Sequence, residues 1–292
     1  MGPRPFRYER ATSVAEAVER LRRGGPGAKV LAGGQSLVPM MNLRLVEPER
    51  VVDINDLPLA HLRREDGVLV LGALVRHHTL EESEDVRALC PLLSEAAAWV
   101  GNARVRSLGT LGGSLAHADP AAELPMASLA LDAELVLEGP EGRRTVQAPE
   151  FFRGSLATAL EPAELVTEVR VPVREPGEGW AVEEFALRYG DFALVAAAAR
   201  VRLDRDGRVA HARVALAGVG ATPVRARGAE DRLTGELPDP DRVEGAARAA
   251  AEGVEPESDP HASAGYRRHL TYVLTRRALE RALNRAREGG LL

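Results

Sequence analysis

The chain has 292 residues, a net charge of −5 and a pI near 5.9, which gives room for two or three domains and argues against nucleic acid or an anionic membrane as partner. A composition of 45% hydrophobic and 28% charged residues is that of an ordinary globular protein with a buried core. The single cysteine, Cys90, excludes an internal disulfide and any four-cysteine zinc or iron–sulfur site within one chain.

The opening MGPRPFRYER has no apolar stretch of the secretory kind, and no apolar run approaches the ~20 residues of a membrane span, so the expected location is the cytoplasm. Ser13 with Glu16 reads as a capping box for a helix carrying Val14, Ala17, Val18 and Leu21 at helical spacing. Gly24-Gly25 ends that helix. A strand over Val30, Leu31 and Ala32 runs into Gly33-Gly34, and a second strand covers 51–54. The first ~55 residues thus read as a small β/α unit.

GVLVLGALV (67–75) is a buried-strand candidate, with His77-His78 at its end. Thr79 is placed to cap an acidic helix over Glu81, Glu82, Glu84 and Asp85. PLLSEAAAWV (91–100) reads as helix, and TLGGSLAHADP (110–120) as a second glycine-rich loop. A hairpin turns at 139–142, and ELVTEVRVPV (164–173) is a strand. EPGEGW (175–180) is the candidate domain boundary. Two long strands then flank 204–207. The last helix places Tyr266, Leu270, Val273, Leu274, Leu279 and Leu283 on one side and stops at Gly289-Gly290.

A glycine pair after a strand lets backbone N–H groups approach a ligand that a Cβ would exclude. With short polar side chains such groups form a nest for anionic oxygens. Gly33, Gly34, Gln35 and Ser36 offer one such set, and Thr110, Gly112, Gly113 and Ser114 a second. Two loops could hold a pyrophosphate between them. Neither is a P-loop, because the chain contains no Gly-Lys pair, and GPGAKV (25–30) lacks the third glycine of a dinucleotide fingerprint. Taken alone, each glycine pair also fits a simple turn.

The segments LAGGQSLVPMMNLRL (31–45), TLGGSLAHADPAAELP (110–125), FFRGSLATALEPAELVTEVRVP (151–172), RYGDFALVAAAA (188–199) and SAGYRRHLTYVLTRRAL (263–279), in this order, carry a resemblance over essentially the whole chain. The chain resembles the FAD-binding medium subunit of the molybdenum-containing hydroxylases, the carbon monoxide dehydrogenase and xanthine dehydrogenase family. The resemblance implies an α+β architecture. A two-lobed FAD-binding fold of the vanillyl-alcohol oxidase and p-cresol methylhydroxylase type is followed by a C-terminal sheet-and-helix domain. The implied units are 1–57 (small β/α), 58–176 (mixed) and 177–292 (antiparallel sheet plus helices).

The resemblance also implies a site. Val30, Leu31, Ala32, Gly33, Gly34, Gln35, Ser36 and Leu37 would wrap the FAD pyrophosphate, and Thr110, Leu111, Gly112, Gly113 and Ser114 would close over the same phosphates. Glu123, with Asp119 assisting, would contact the flavin's sugar portion; Val166 would line the flavin; Phe192 would pack on the isoalloxazine ring. Gln35, Leu111 and Ser114 stand where the family often has histidine, isoleucine and asparagine. No catalytic acid or base and no metal ligand is expected on this chain. The implied partners are a large molybdenum-binding subunit and a small iron–sulfur subunit with [2Fe-2S] clusters, and the implied electron acceptor is a quinone, NAD or oxygen. Two rival readings are a free-standing FAD-dependent oxidoreductase and a flavin-free interaction protein that kept the fold. Lys29, the only lysine, either screens the phosphates or is a surface residue.

Overall fold

The computed structural model describes residues 2–289. Among the described residues, three larger sheets form from consecutive stretches of chain, with a two-stranded ribbon besides. The first contains β1 (Arg7–Arg10), β2 (Ala28–Leu31) and β3 (Arg50–Asp53), with α1 (Val14–Gly24) and α2 (Leu37–Asn42) between them. Its order is β1-β3-β2 and both pairings are parallel, so the ends of β2 and β3 open on the same edge, where open α/β sheets place ligands. The strand expected over 30–32 is shifted to Ala28–Leu31 and leaves Ala32 in the loop. The Ser13 side chain caps α1 by accepting from Glu16 N–H. The return bond of the expected capping box closes one residue earlier, with Glu16 accepting from Thr12 N–H.

The second sheet runs β4-β5-β10-β6-β7, from β4 (Leu62–Glu65), β5 (Val68–Gly72), β6 (Glu134–Gly139), β7 (Gly142–Gln147) and β10 (Leu165–Pro172). Between β5 and β6 come α3 (His77–Glu82), α4 (Glu84–Leu89), α5 (Pro91–Trp99), α6 (Ala103–Leu108), α7 (Leu111–His117) and α8 (Glu123–Ala130). After β7 come one turn of helix, α9 (Ala148–Phe151), and a ribbon of β8 (Phe152–Gly154) and β9 (Ala157–Thr158). The expected acidic helix is two helices. Thr79 lies inside α3, and Ser83 caps α4 by accepting from Val86 N–H. His77-His78 starts α3 rather than ending a strand.

The third sheet runs β11-β12-β13-β14, from β11 (Glu178–Phe185), β12 (Val195–Leu203), β13 (Val209–Ala217) and β14 (Val224–Arg225), and is followed by α10 (Arg227–Leu233), α11 (Pro240–Glu252) and α12 (Ala264–Gly289). The Gly/Pro stretch 175–180 is a loop only as far as Gly177, with φ +73°; β11 has begun by Glu178. The long helix buries Leu270, Leu274, Leu279 and Leu283 as expected, but Tyr266 is exposed and Val273 half-buried. Arg267, Thr271, Thr275, Ala278, Ala282 and Ala286 complete the buried face instead. Gly289 is still helical, and Gly290 lies outside the described residues.

The layers alternate sheet, helices, sheet, helices. Helices α5, α7 and α8 share one apolar core with β5, β6 and β10 on one side and with Val182, Ala196, Ala198, Ala215 and Ala217 of the third sheet on the other. Residues of opposite parity, such as Ala181, Ala197, Ala199, Val214 and Leu216, join a second core with α10, α11 and α12. That is the period-two alternation of strands covered on both faces. Alanines on the face toward α8 let a fully buried helix approach the sheet closely. Polar clasps reinforce the junction. Glu95 of α5 accepts from Arg281 and Arg285 of α12, and Trp180 lies between the guanidinium groups of Arg174 and Arg285, each 5.1 Å from the ring centroid, contacts of about 0.5–2 kcal/mol each. Among the described residues no helix is long and apolar enough to cross a membrane.

Candidate functional site

The chain leaving β2 meets the chain entering α7. A Cβ built on Gly33 would lie 2.2 Å from the Leu108 carbonyl oxygen and 2.8 Å from the Gly109 Cα, so only glycine permits this approach. Ala32 faces Gly113, whose ideal Cβ would be 3.8 Å from the Ala32 Cβ. Gly34 has φ +71°, a conformation glycine adopts without strain.

A polar network at the carboxyl ends of β2 and β3 fixes the loop. The Asn55 side chain donates to the Ala32 carbonyl at 2.8 Å and to Asp53 at 2.7 Å. Tyr8 donates its hydroxyl to the same Asp53 carboxylate. The Asp53 carboxyl stays below the usual carboxylate range, because these hydrogen bonds outweigh the opposing effect of burial. Arg76 completes the link, donating to Asn55 Oδ1 at 2.8 Å and to the Leu108 carbonyl. One guanidinium thereby holds both segments in register. Sequence reading missed Asn55 and Arg76. The available signal was a polar residue directly after each apolar strand, at the edge where the glycine pair also lies.

The backbone donors of the two segments differ. Among the described residues, the N–H groups of Gly33, Gly34, Gln35 and Ser36 find no protein acceptor, and the Gln35 side chain donates back to the Gly33 carbonyl at 3.0 Å. This is an open set of donors of the kind that accepts anionic oxygens. The second segment is not the expected loop. Thr110 caps α7, with its side chain accepting from Gly113 N–H at 3.2 Å. Leu111 N–H donates to Val75 O, Gly112 N–H to Ala73 O and Ser114 N–H to Thr110 O. Its donors are therefore engaged. Gly112 is glycine because a Cβ there would lie 2.5 Å from the Ala73 Cβ. The second segment can offer the Ser114 hydroxyl and a glycine surface, but no free nest of N–H groups.

Beneath this junction His77 is 5% exposed, and among the described residues neither ring nitrogen has a hydrogen-bond partner within good geometry. Its ring lies against Gly109, where an added Cβ would be 2.7 Å from Cε1. Burial pulls its pKa down to about 4, so the imidazole is neutral at pH 7.

The remaining expected residues distribute as follows. Val30 is half-buried and packs on the core of the first sheet; Leu31 and Leu37 are half-buried beside the loop. Leu111 and Val166 are 1% and 5% exposed, inside the central core. Asp119 accepts from Ala121 N–H at 2.8 Å and shapes the turn that leads to α8. Glu123 opens α8, is 4% exposed, and is pushed up to about 7, by burial first and then by the charge of Asp119. Phe192 stands 62% exposed on the connection from β11 to β12. Lys29 is exposed on β2, next to Val51 of β3. Glu184, also absent from the sequence reading, is half-buried, has its Oε2 buried without a partner among the described residues, and is pushed up to about 8, by burial and then by the charge of Glu123.

This donor set suits a diphosphate-bearing cofactor: free N–H groups at a strand end and a glycine surface opposite. Residues 4–174 match the family model of the FAD binding domain in molybdopterin dehydrogenase. Residues 180–282 match that of the CO dehydrogenase flavoprotein C-terminal domain. The chain is 42% identical over 288 residues to the 6-hydroxypseudooxynicotine dehydrogenase complex subunit alpha of Paenarthrobacter nicotinovorans, covering 98% of this chain and 97% of that one. It is 41% identical over 283 residues to the carbon monoxide dehydrogenase medium chain of Hydrogenophaga pseudoflava, covering 97% and 98%. Among solved structures, it superposes with a TM-score of 0.95 on a chain of the H. pseudoflava carbon monoxide dehydrogenase that lacks the Mo-pyranopterin moiety, at 42% identity and with 98% and 99% of the two chains covered. The chain belongs to the FAD-binding medium subunits of the molybdenum hydroxylase family, and is an FAD-dependent oxidoreductase subunit.

Proposed function

We propose that this chain holds FAD as the electron-transfer subunit of a molybdenum-containing hydroxylase, in the cytoplasm, with a large molybdenum-binding subunit and a small iron–sulfur subunit as partners. The observation that carries the reading is the Gly33–Ser36 segment, with four free N–H groups pressed by Arg76 and the Leu108 carbonyl against the start of α7. The segment 30–37 receives the pyrophosphate, and residues 110–114 form the opposing wall, with the Ser114 hydroxyl as its polar contribution. Glu123 and Asp119 face the sugar chain, Val166 backs the flavin from the core, and Phe192 offers its exposed ring for stacking. The units 1–57, 58–176 and 177–292 act as two FAD-binding lobes and a C-terminal domain.

When bound, FAD would supply the redox chemistry between the partner's iron–sulfur clusters and an external acceptor, a quinone, NAD or oxygen. This chain's residues bind and orient the cofactor and keep water from its buried side. No acid or base on this chain is needed for oxidation of the holoenzyme's substrate. The test is anaerobic mixing of the FAD-loaded chain with its co-purifying partner subunits, reduced and freed of excess reductant. The flavin band near ~450 nm should bleach on mixing. A chain that purifies with no partner, or whose flavin is reduced by an organic substrate on its own, overturns the reading.

A further inference from the structure

The regular ladder between β12 and β13 ends where Ala196 pairs with Ala217. Beyond it lie Leu194, at the end of the connection that carries Phe192, and Gly218, just past β13. These two residues are in backbone contact. Gly218 has φ +76°, and a Cβ there would lie 2.3 Å from the Leu194 carbonyl oxygen.

Arg267 of α12 grips this contact. One terminal nitrogen of its guanidinium donates both to the Leu194 carbonyl and, at 3.2 Å, to the Gly218 carbonyl. The other donates to the Asp259 carboxylate. Asp259 is itself fixed, accepting from the N–H groups of His261 and Ala262 at 2.8 and 2.9 Å. Arg267 is 8% exposed, and a buried cation is tolerated when its hydrogen bonds are made. Stability alone does not call for a charge here, because replacing a buried ion pair by apolar side chains is often neutral or stabilising. What a planar guanidinium adds is several directional bonds from one rigid group, which fix spacing as an apolar contact does not.

Each gripped segment leads to a different part of the proposed cofactor site. Leu194 N–H donates to the Phe185 carbonyl at 2.8 Å, which closes the base of the connection presenting Phe192. Gly218 N–H donates to the Pro120 carbonyl at 2.9 Å, in the turn between Asp119 and Glu123. The leucines of α12 pack in the core on the opposite face of the third sheet from α8. Arg267 is thus placed to act on the cofactor through two main-chain segments rather than by contact.

We propose that Arg267 is a positioning residue of the cofactor site: from the C-terminal domain, it sets the spacing between the connection that carries Phe192 and the turn that carries Asp119, and so holds the ring and sugar chain of FAD in register. This rests on the FAD reading above. The test compares FAD with ADP, which has the adenosine and pyrophosphate of FAD but neither the ring nor the sugar chain attached to it. The apoproteins of wild type, R267M, R267K and D259N are titrated with each. R267M should weaken FAD binding by about tenfold or more, the range for deleting a charged hydrogen bond, while the Kd of ADP stays within about twofold. R267K keeps the charge without the fork and should fall between R267M and wild type. Asp259 has a side chain 41% exposed, so D259N should fold even if R267M does not, and should show the same selective loss to a smaller extent. Equal losses for FAD and ADP would assign Arg267 to the fold alone, and unchanged FAD affinity in the variants would remove the clamp; either overturns the proposal. Wild-type apoprotein that binds neither ligand contradicts the FAD reading itself, and this inference with it.

Discussion

Gly33 and Leu108 are in backbone contact: a Cβ on Gly33 would lie 2.2 Å from the Leu108 carbonyl oxygen. That oxygen also accepts from Arg76. It is therefore the fixed point against which the first sheet's loop is set.

Gly33→Ala should lower stability and abolish FAD retention together, because the clash is with backbone and neither strand end can yield without breaking the Arg76–Asn55 link. Overpacking of this kind costs about 1–3 kcal/mol. Gly34→Ala is milder. Its Cβ would meet only side chains, Leu31 at 3.2 Å and Val38 at 3.3 Å, and the strain of φ +71° costs roughly 1 kcal/mol. The flavin-to-protein absorbance ratio after gel filtration, with Tm, ranks the two.

Arg76→Met removes the donor to the Leu108 carbonyl and to Asn55 Oδ1 while keeping an apolar stem. The loss is about 1–3 kcal/mol, expressed mainly as faster FAD dissociation, since the apolar cores of the two sheets are left intact. Stopped-flow release of flavin fluorescence measures it, and an unchanged off-rate would remove Arg76 from the account.

The stability of the apoprotein should fall as pH rises from about 5 to about 9. Burial raises Glu123 and Glu184 to about 7 and about 8, above the usual glutamate range, so the folded state binds more protons than the unfolded state across that window. Their contribution is fully present below the unfolded pKa and is lost as pH rises through the folded values. The loss is on the order of 5 kcal/mol, or roughly 10 °C in Tm. E184Q should make the fall shallower and leave the part due to Glu123, and identical profiles would contradict the raised Glu184.

Lys29→Ala should leave FAD retention unchanged. Lys29 is exposed on β2 and, among the described residues, pairs with no carboxylate, and the free donors of the loop lie beyond the end of its strand. A tenfold rise in the FAD Kd would instead assign Lys29 to screening of the phosphates.

Much of this was legible because single local signals dominated. The α1 helix is amphipathic and capped by Ser13; the 134–147 hairpin has a short turn between alternating strands; β12 and β13 are long apolar runs. β1 was missed because RYER is charged and mostly exposed; only parallel pairing with β3 makes it a strand. The α7 helix was read as a loop because a glycine pair argues against helix by propensity. Tertiary contact overrides that penalty, since Gly112 needs the space taken by Ala73. The first half of the candidate site could be read from Gly33-Gly34. Arg76, Asn55 and Arg267 could not, because each acts across elements that only folding brings together.

The most direct test of the account is amide hydrogen exchange of the apoprotein with and without FAD, resolved to residues 33–36 and 111–114. The account predicts strong new protection at Gly33, Gly34, Gln35 and Ser36, whose N–H groups are free, and little change at Leu111, Gly112, Gly113 and Ser114, whose N–H groups are already bonded. Protection gained at 111–114 with none at 33–36 would contradict it.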